Sequence, residues 1–442
     1  MMEPSVLPNG STSSGVLRNE ARKRTIIDLF AGCGGLSLGM EMAGFDPILV
    51  NELGTEAMQT YLANRPQFPL LRDKYQITDI KELLADGEQR LDKLLADMWT
   101  DYGLNVAAGE VDLVVGGPPC QGYSGIGHRR SYSVERASLP SNHLYEDMAR
   151  VIFRVQPRAF LFENVRGLLS AKWTDGGEKG EIWRDVLRTF TTIPGYRRVE
   201  HRLVHAREYG VPQNRPRVLI IGIRDDIQTA GGVGVWAGCM FPPPSNRAPD
   251  LQDVLGDLID PEYRPGGVTA TYPHAARSET QHWLRTERGT DRVLGQGEPV
   301  TEHEYSNHSG RVQEKFAFML ANGGVIPEHM RTKKFAQKVL TPEWGSSGPS
   351  ITATSLADDY VHYSQPRALT VREWARLQTF PDWYAFSGKR TTGGIRRAGN
   401  PRLGIFEREL PKYTQIGNAV PVMLARAIGN HISNILSENI II

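Results

Sequence analysis

Four short segments gather side chains able to do chemistry. GGPPCQGYS (Gly116–Ser124) follows directly on the apolar run VDLVV. Its two prolines stiffen the loop and set Cys120 just beyond the carboxyl end of a strand, where open α/β sheets bind ligands. A thiolate there is a soft nucleophile, reactive in proportion to how far its pKa falls below about 8.5. FENV (Phe162–Val165) ends another apolar run with Glu163, a carboxyl either desolvated or held in an ion pair. QNRPR (Gln213–Arg217) spaces Arg215 and Arg217 two apart along an extended segment, on one face, which suits contact with phosphate or carboxylate or a solvated strand edge.

The fourth segment, FAGCGG (Phe30–Gly35), lies between a strand and a helix. Glycines there let backbone N–H groups turn towards a ligand at a helix N-terminus, which favours negative charge. The dinucleotide fingerprint G-x-G-x-x-G is not met, because Ser37 stands where the third glycine belongs. Glu52, at the end of the second strand, is placed to accept from ribose hydroxyls, and Asp79 in QITDI could reach an adenine amino group. Together these describe an adenosine-bearing ligand whose anionic end need not be a pyrophosphate.

The elements that must carry these segments are legible as alternating runs. TIIDLF (25–30), DPILV (46–50), VDLVVGG (111–117), RAFLFENV (158–165) and VLIIGIR (218–224) read as strands, with helical LSLGMEMAG, TEAMQTYLANRP and LYEDMARVIFRV between them. Continuous apolar strands separated by helices imply an α/β fold, a doubly wound, mostly parallel sheet covered on both faces. Leu83, Leu84, Leu91, Leu94, Leu95 and Met98 fall at helical spacing, so 81–101 is expected to form a helix on that sheet. The expected divisions are a floppy leader over 1–24, a catalytic domain over 25–225, an irregular smaller domain over 226–364 and a returning segment over 365–442.

Composition narrows the classes. The chain has 442 residues with 51 Lys plus Arg against 50 Asp plus Glu, a net +1. That excludes a polycationic nucleic-acid coat but not a local basic cleft. No run approaches a membrane helix, and the first residues carry no apolar signal core, so a cytoplasmic setting is expected. The three cysteines, Cys33, Cys120 and Cys239, form no CxxC, which argues against a disulfide framework or a zinc site. Six of the eleven histidines lie scattered in 226–364 without metal spacing, so no metal is expected. The same segment holds the locally basic HMRTKKFAQK (329–338), which suits phosphate contacts or a solvated helix face, and Trp283 and Trp344, expected in its core.

Taken in order, DLFAGCGG, PPCQ, ENV, QNRPR, RALTVREWARLQTFPDWY (367–384) and QIGNAVP resemble the signature blocks of the cytosine-C5 DNA methyltransferases that use S-adenosylmethionine. The resemblance spans about Thr25 to Ile435, and 226–364 falls where members carry their target-recognition domain. It implies a Rossmann-like class I methyltransferase fold. It implies Cys120 as the nucleophile at cytosine C6, Glu163 as the partner of N3, and Arg215 and Arg217 near the target base and its phosphate. For S-adenosylmethionine it implies contacts from Phe30, Ala31, Gly32, Gly34, Gly35, Leu36, Glu52, Asp79, Ile80, Pro119, Leu144, Asn418 and Val420. Tyr123 stands where many members have Phe. Leu53 stands where some have an aromatic that stacks on adenine.

The implied reaction is transfer of a methyl group to carbon 5 of a cytosine flipped out of a specific short double-stranded DNA sequence. A monomer is expected, with a cognate restriction endonuclease as a functional rather than physical partner. The rivals are a cytosine-C5 tRNA methyltransferase, a catalytically silent DNA-binding homologue and a nicotinamide dehydrogenase. The long segment 226–364 argues for DNA readout. The joint presence of Cys120 and Glu163 argues against silence, and Ser37 argues against the dehydrogenase.

Overall fold

The computed structural model describes residues 23–119, 142–174, 176–227, 239–244, 248–331, 337–343, 348–353, 357–392 and 409–437. Seven strands form one sheet: β1 (Arg24–Leu29), β2 (Phe45–Asn51), β3 (Gln76–Ile77), β4 (Leu113–Gly116), β5 (Ala159–Val165), β6 (Arg198–His205) and β7 (Pro216–Ile223). Their spatial order is β3-β2-β1-β4-β5-β7-β6. The first five run parallel, and β7 lies antiparallel to both β5 and β6. The sheet is therefore α/β and mostly parallel, as the apolar runs imply, with one reversed strand that they do not announce.

The amino-terminal helices are α1 (Gly35–Met42), α2 (Thr55–Ala63), α3 (Pro69–Asp73), α4 (Ile80–Leu83), α5 (Ala85–Tyr102), α6 (Leu144–Val155) and α7 (Glu181–Thr191). Further along come α8 (Leu251–Leu255), α9 (Glu279–Arg285), α10 (Gly310–Ala321), α11 (Val371–Leu377), α12 (Lys412–Asn418) and α13 (Val422–Ser437). Alternation along the strands sorts them into two layers. Ile27, Leu29, Val114, Phe160 and Phe162 pack with Leu91, Leu95, Met98, Met148, Val151, Ile182 and Val186 of α5, α6 and α7. Ile26, Leu113, Val115 and Leu161 pack with Leu36 and Met40 of α1 and with Leu424, Ile428 and Ile432 of α13. The chain's last described helix thus completes the layer begun by its first.

Two expectations need correcting. Residues 81–101 are not one regular helix: α4 ends at Leu83, and α5 is broken near its start where Asp86, Gly87 and Glu88 are consecutively left-handed, with φ of 51°, 67° and 72°. The break turns Glu88 onto α6, where its carboxylate pairs with Arg150 at 3.0 Å and Arg154 at 3.3 Å. Leucine spacing records only the face that is buried, so it runs on across the kink. Strand β6 is absent from the expected set, because RVEHRLVH is an edge strand with charged residues along a part-exposed face.

Residues after Asp226 pack on the returning segment. Leu251, Val254 and Leu255 of α8, Leu284 of α9, Leu340 and Ile351 share one cluster with Trp374, Leu377, Phe380, Tyr384 and Tyr413. Trp283 packs against it half-buried, and Trp344 lies outside the described residues. Through this cluster runs a buried charged seam. Arg376 bonds Asp257 at 2.6 Å and Asp382 at 2.5 Å, and Arg285 reaches Asp257 at 3.2 Å while its guanidinium lies 3.7 Å over the Tyr272 ring. Among the described residues, no helix is long and apolar enough to cross a membrane.

Removing one member of such a seam strands the others as uncompensated buried charge, which costs about 3–5 kcal/mol. Asp257→Ala is therefore expected to lower the urea unfolding free energy by about that amount. A loss below 1 kcal/mol would mean the seam does not hold the two segments together.

Candidate active site

Because β1 to β5 are parallel, their carboxyl ends share one edge, where ligands of open α/β sheets collect. The reversed strand β7 begins at that same edge, with Arg217 opposite Val165. The turn Phe30–Gly35, residues 52–54, Asp79, Gly117–Pro119, Glu163 and Arg217 are thereby gathered.

The turn after β1 is built from left-handed residues: Phe30 and Gly32 at φ 57° and Gly34 at φ 86°. Its backbone is strapped to the end of β2. Ala31 N donates to Asn51 O at 2.9 Å, and Gly32 N donates to Glu52 Oε2 at 2.8 Å. The other oxygen of Glu52 accepts from Gly54 N at 2.6 Å. Burial raises the pKa of this carboxyl, and the two backbone donors oppose that rise. Asn51 ties in the third loop, its Nδ2 donating to Ile77 O at 3.0 Å and Thr78 O at 3.1 Å. Asp79 caps α4 by accepting from Lys81 N at 2.9 Å, with Ile80 buried behind it.

Gly35 marks where the returning segment meets the turn. A Cβ there would lie 2.4 Å from Val420 O, so only glycine lets α1 start against residues 419–420. Asn418 is exposed beside them, Val420 and Leu36 are buried, Leu144 is half-buried and Pro119 is exposed. A Cβ on Gly32 would meet nothing within 4 Å, so the turn faces open space. Each Glu52 oxygen keeps a second lone pair. An adenosine ligand carrying ribose hydroxyls fits this donor and acceptor set. Leu53 is 69% exposed, offering an aliphatic surface where an aromatic would stack.

Across the edge, Glu163 Oε1 lies 2.6 Å from Arg217 Nε, and both side chains are nearly buried. A Cβ on Gly117 would stand 2.8 Å from Glu163 Oε2, so the bare backbone leaves that oxygen its room. Asn164 Nδ2 donates to Pro118 O at 3.1 Å and so pins the proline loop to β5. Cys120, which follows Pro119 directly in the chain, lies outside the described residues. Cys33 is buried, donates to Gln415 O at 3.5 Å, and burial pushes its thiol up to about 12, leaving no thiolate at neutral pH.

The two arginines diverge. Arg217 meets Glu163, whereas Arg215 donates to Ile351 O at 2.7 Å, Gly417 O at 2.7 Å and Ala419 O at 3.0 Å. Burial, and then the like charge of Arg217, disfavour the Arg215 cation. Three carbonyls, two of them at the negative end of α12, compensate it. Gln213 and Gln378 extend this knot: Gln213 Nε2 donates to Leu377 O at 2.7 Å, and Gln378 Nε2 donates to Ile416 O at 2.8 Å and Ala419 O at 3.0 Å. The positional roles of Asn51, Asn164, Gln213 and Gln378 escape sequence reasoning. Their only signal is that they lie inside or beside the motifs.

One buried carboxyl sits directly behind the turn. Asp28, at the end of β1, is wholly buried. Desolvation pushes its pKa up to about 7 against the lowering pull of Arg65, while Glu41 and Glu52 add to the rise. Among the described residues, no group of three or more His, Cys, Asp or Glu is set to hold a metal ion.

The family profile described as C-5 cytosine-specific DNA methylase matches residues 24–434. The chain is 32% identical over 425 residues to the Type II methyltransferase M.DdeI of Desulfomicrobium norvegicum, covering 92% of this chain and 88% of that one. It is 31% identical over 413 residues to the Type II methyltransferase M1.HphI of Haemophilus parahaemolyticus, covering 91% and 85%. The solved structure of a prophage-encoded E. coli protein, described as a DNA modification methyltransferase, superposes with a TM-score of 0.61. It does so at 22% identity over 94% of this chain and 99% of that one, a likeness of fold.

Asp28 sets a pH signature. Its pKa of about 7 in the folded chain stands above the ordinary 3.8, so its contribution is fully present below pH 4 and is lost as pH rises to 7. Asp28→Asn removes that loss. Relative to the unsubstituted chain, the variant is expected to gain about 2–3 kcal/mol of unfolding stability between pH 5 and pH 7. A difference that stays constant across that range in chemical denaturation would show that Asp28 ionises normally.

Proposed function

This chain belongs to the C-5 cytosine-specific DNA methylase family, a DNA cytosine-5-methyltransferase, and from that premise we propose how its own residues act. In this reading it transfers a methyl group from S-adenosylmethionine to carbon 5 of a cytosine flipped out of a specific short double-stranded DNA sequence. The observation that carries the reading is the Glu163–Arg217 pair. It stands at the sheet edge shared by the turn that suits the adenosine ligand, and beside the backbone of Gly117 that leads to Cys120.

S-adenosylmethionine, when bound, supplies an electrophilic methyl on a sulfonium. Phe30–Gly35 and Glu52 would hold it, with Asp79, Ile80, Pro119, Leu144, Asn418 and Val420 completing the contacts. Carbon 5 of cytosine is too electron-poor to attack unaided. The Cys120 thiolate forms a bond to C6, and the displaced electron pair is taken up at N3 with a proton from Glu163. Carbon 5 would then accept the methyl group as its bond to the sulfonium sulfur breaks, the electron pair of that bond leaving on the neutral thioether. Loss of the C5 proton to a base and cleavage of the S–C6 bond restore the ring and the thiolate, and N3 returns its proton to Glu163.

Arg217 orients Glu163 and reaches the edge where the base arrives. Arg215 acts one step back, holding the 417–419 backbone against the turn. The segment 226–364 reads the DNA sequence, and 329–338, part of it outside the described residues, supplies phosphate contacts. The Type II methyltransferase relatives support a restriction–modification setting. There the enzyme works as a cytoplasmic monomer on host DNA, with a cognate endonuclease as functional partner.

Methylation of a plasmid substrate with tritiated S-adenosylmethionine tests the assignments. Cys120→Ser is expected to abolish turnover while retaining cofactor binding. Glu163→Gln is expected to slow transfer by about 10²–10⁴. Substantial turnover in the first variant, or an unchanged rate in the second, would remove that residue from the chemistry.

A further inference from the structure

Behind the turn, on the side away from its open face, two side chains distant in sequence close on its carbonyls. Tyr384 Oη donates to Cys33 O at 2.6 Å. Arg65 reaches Gly34 O through Nη2 at 3.3 Å and donates through Nη1 to Tyr384 Oη at 3.2 Å. Arg65 is itself fixed, with Nε on Glu41 at 2.8 Å and its guanidinium 3.6 Å over the Tyr61 ring. The bracket fits so closely that a Cβ on Gly34 would stand 2.8 Å from both Arg65 Nη1 and Tyr384 Oη.

The planar trans peptide converts this anchoring into ligand geometry. A carbonyl tied backwards aims the N–H of the next residue the opposite way. Holding Cys33 O sends the Gly34 N–H into the turn, where it donates to Ala31 O at 3.0 Å. Holding Gly34 O aims the Gly35 N–H, the first of α1, away from the bracket. The first N–H groups of a helix have no acceptor within it, so they are the ones a ligand meets. Tyr384 also belongs to the stretch that the 226–364 segment grips. Asp382, two residues earlier, accepts from Tyr272 Oη at 2.8 Å, and its own N–H donates to Leu284 O at 2.7 Å.

We propose that Tyr384 is a positioning residue for S-adenosylmethionine, its hydroxyl setting the peptide planes of the Phe30–Gly35 turn from behind without touching the ligand. This rests on the assignment of that turn and Glu52 to the cofactor. Tyr384→Phe keeps the ring against Phe380 and Phe386, whose centroids lie at 4.9 and 5.6 Å, and removes only the hydroxyl.

The test compares three variants of the full chain by calorimetric titration with S-adenosylmethionine, by DNA affinity and by thermal unfolding. Tyr384→Phe is expected to weaken cofactor binding about three- to tenfold. The cofactor KM rises to match, while kcat at saturation and DNA affinity stay within about twofold. Tyr196→Phe loses an equally buried hydroxyl bond, to Pro157 O, and is expected to lower thermal stability comparably with no change in cofactor affinity. Glu52→Gln is expected to weaken cofactor binding strongly. If Glu52→Gln weakens binding and Tyr384→Phe does not, or if Tyr196→Phe matches Tyr384→Phe in cofactor affinity, the positioning role is wrong. If Glu52→Gln has no effect, the assignment of the turn falls and the proposal with it.

Discussion

The carbonyl-lined end of α12 is the constraint on which the rest depends. Ile416, Gly417 and Ala419 present their oxygens to buried donors from two distant segments, Arg215 before β7 and Gln378 after α11. A buried carbonyl left unpaired costs about 1–3 kcal/mol, so each donor fixes where its own segment lies. The knot also seats Val420 O against Gly35, where no side chain would fit. Two residues after Arg215, it delivers Arg217 to Glu163 at 2.6 Å. One set of backbone acceptors thus sets both halves of the cleft, the turn on one side and the carboxylate pair on the other.

The reversal of β7 is what makes the pairing possible. Were β7 parallel to β5, its first residues would lie at the opposite end of the sheet from Glu163. Antiparallel register instead puts Arg217 across from Val165, within reach of the carboxylate two residues back. Buried charge is handled differently at each point. The Arg285–Asp257–Arg376–Asp382 seam balances its charges internally. Asp28, wholly buried at the end of β1, resolves its burial by holding a proton nearer to neutrality.

Much of this was readable in advance where one residue type has one physical use. Unbroken runs such as TIIDL and LVVG belong only in a sheet covered on both faces, and they are buried there. Glycines in FAGCGG announce a turn, and Gly32 and Gly34 are left-handed as such a turn needs. What could not be read depends on partners far away in sequence. The alternation of Arg215 and Arg217 is compatible with a shared phosphate site, yet the carbonyls that claim Arg215 are contributed from more than 130 residues later. Strand β6 hides because an edge strand need not be apolar. The kink at 86–88 hides because helical spacing continues through it. Tyr384 reads as one more core aromatic until its hydroxyl is seen on Cys33 O.

In the proposed reaction a thiolate from the proline loop bonds transiently to an everted cytosine while Glu163 serves its N3. The most direct measurement uses a duplex carrying 5-fluorocytosine at the recognised position, incubated with S-adenosylmethionine, digested and examined by peptide mass spectrometry. Fluorine at C5 cannot leave as a proton, so the adduct should persist. One cross-linked peptide is expected, bearing the methylated base on Cys120, and none from Cys120→Ser. A cross-link on Cys33 or Cys239, or methyl transfer without any adduct, would contradict this reaction.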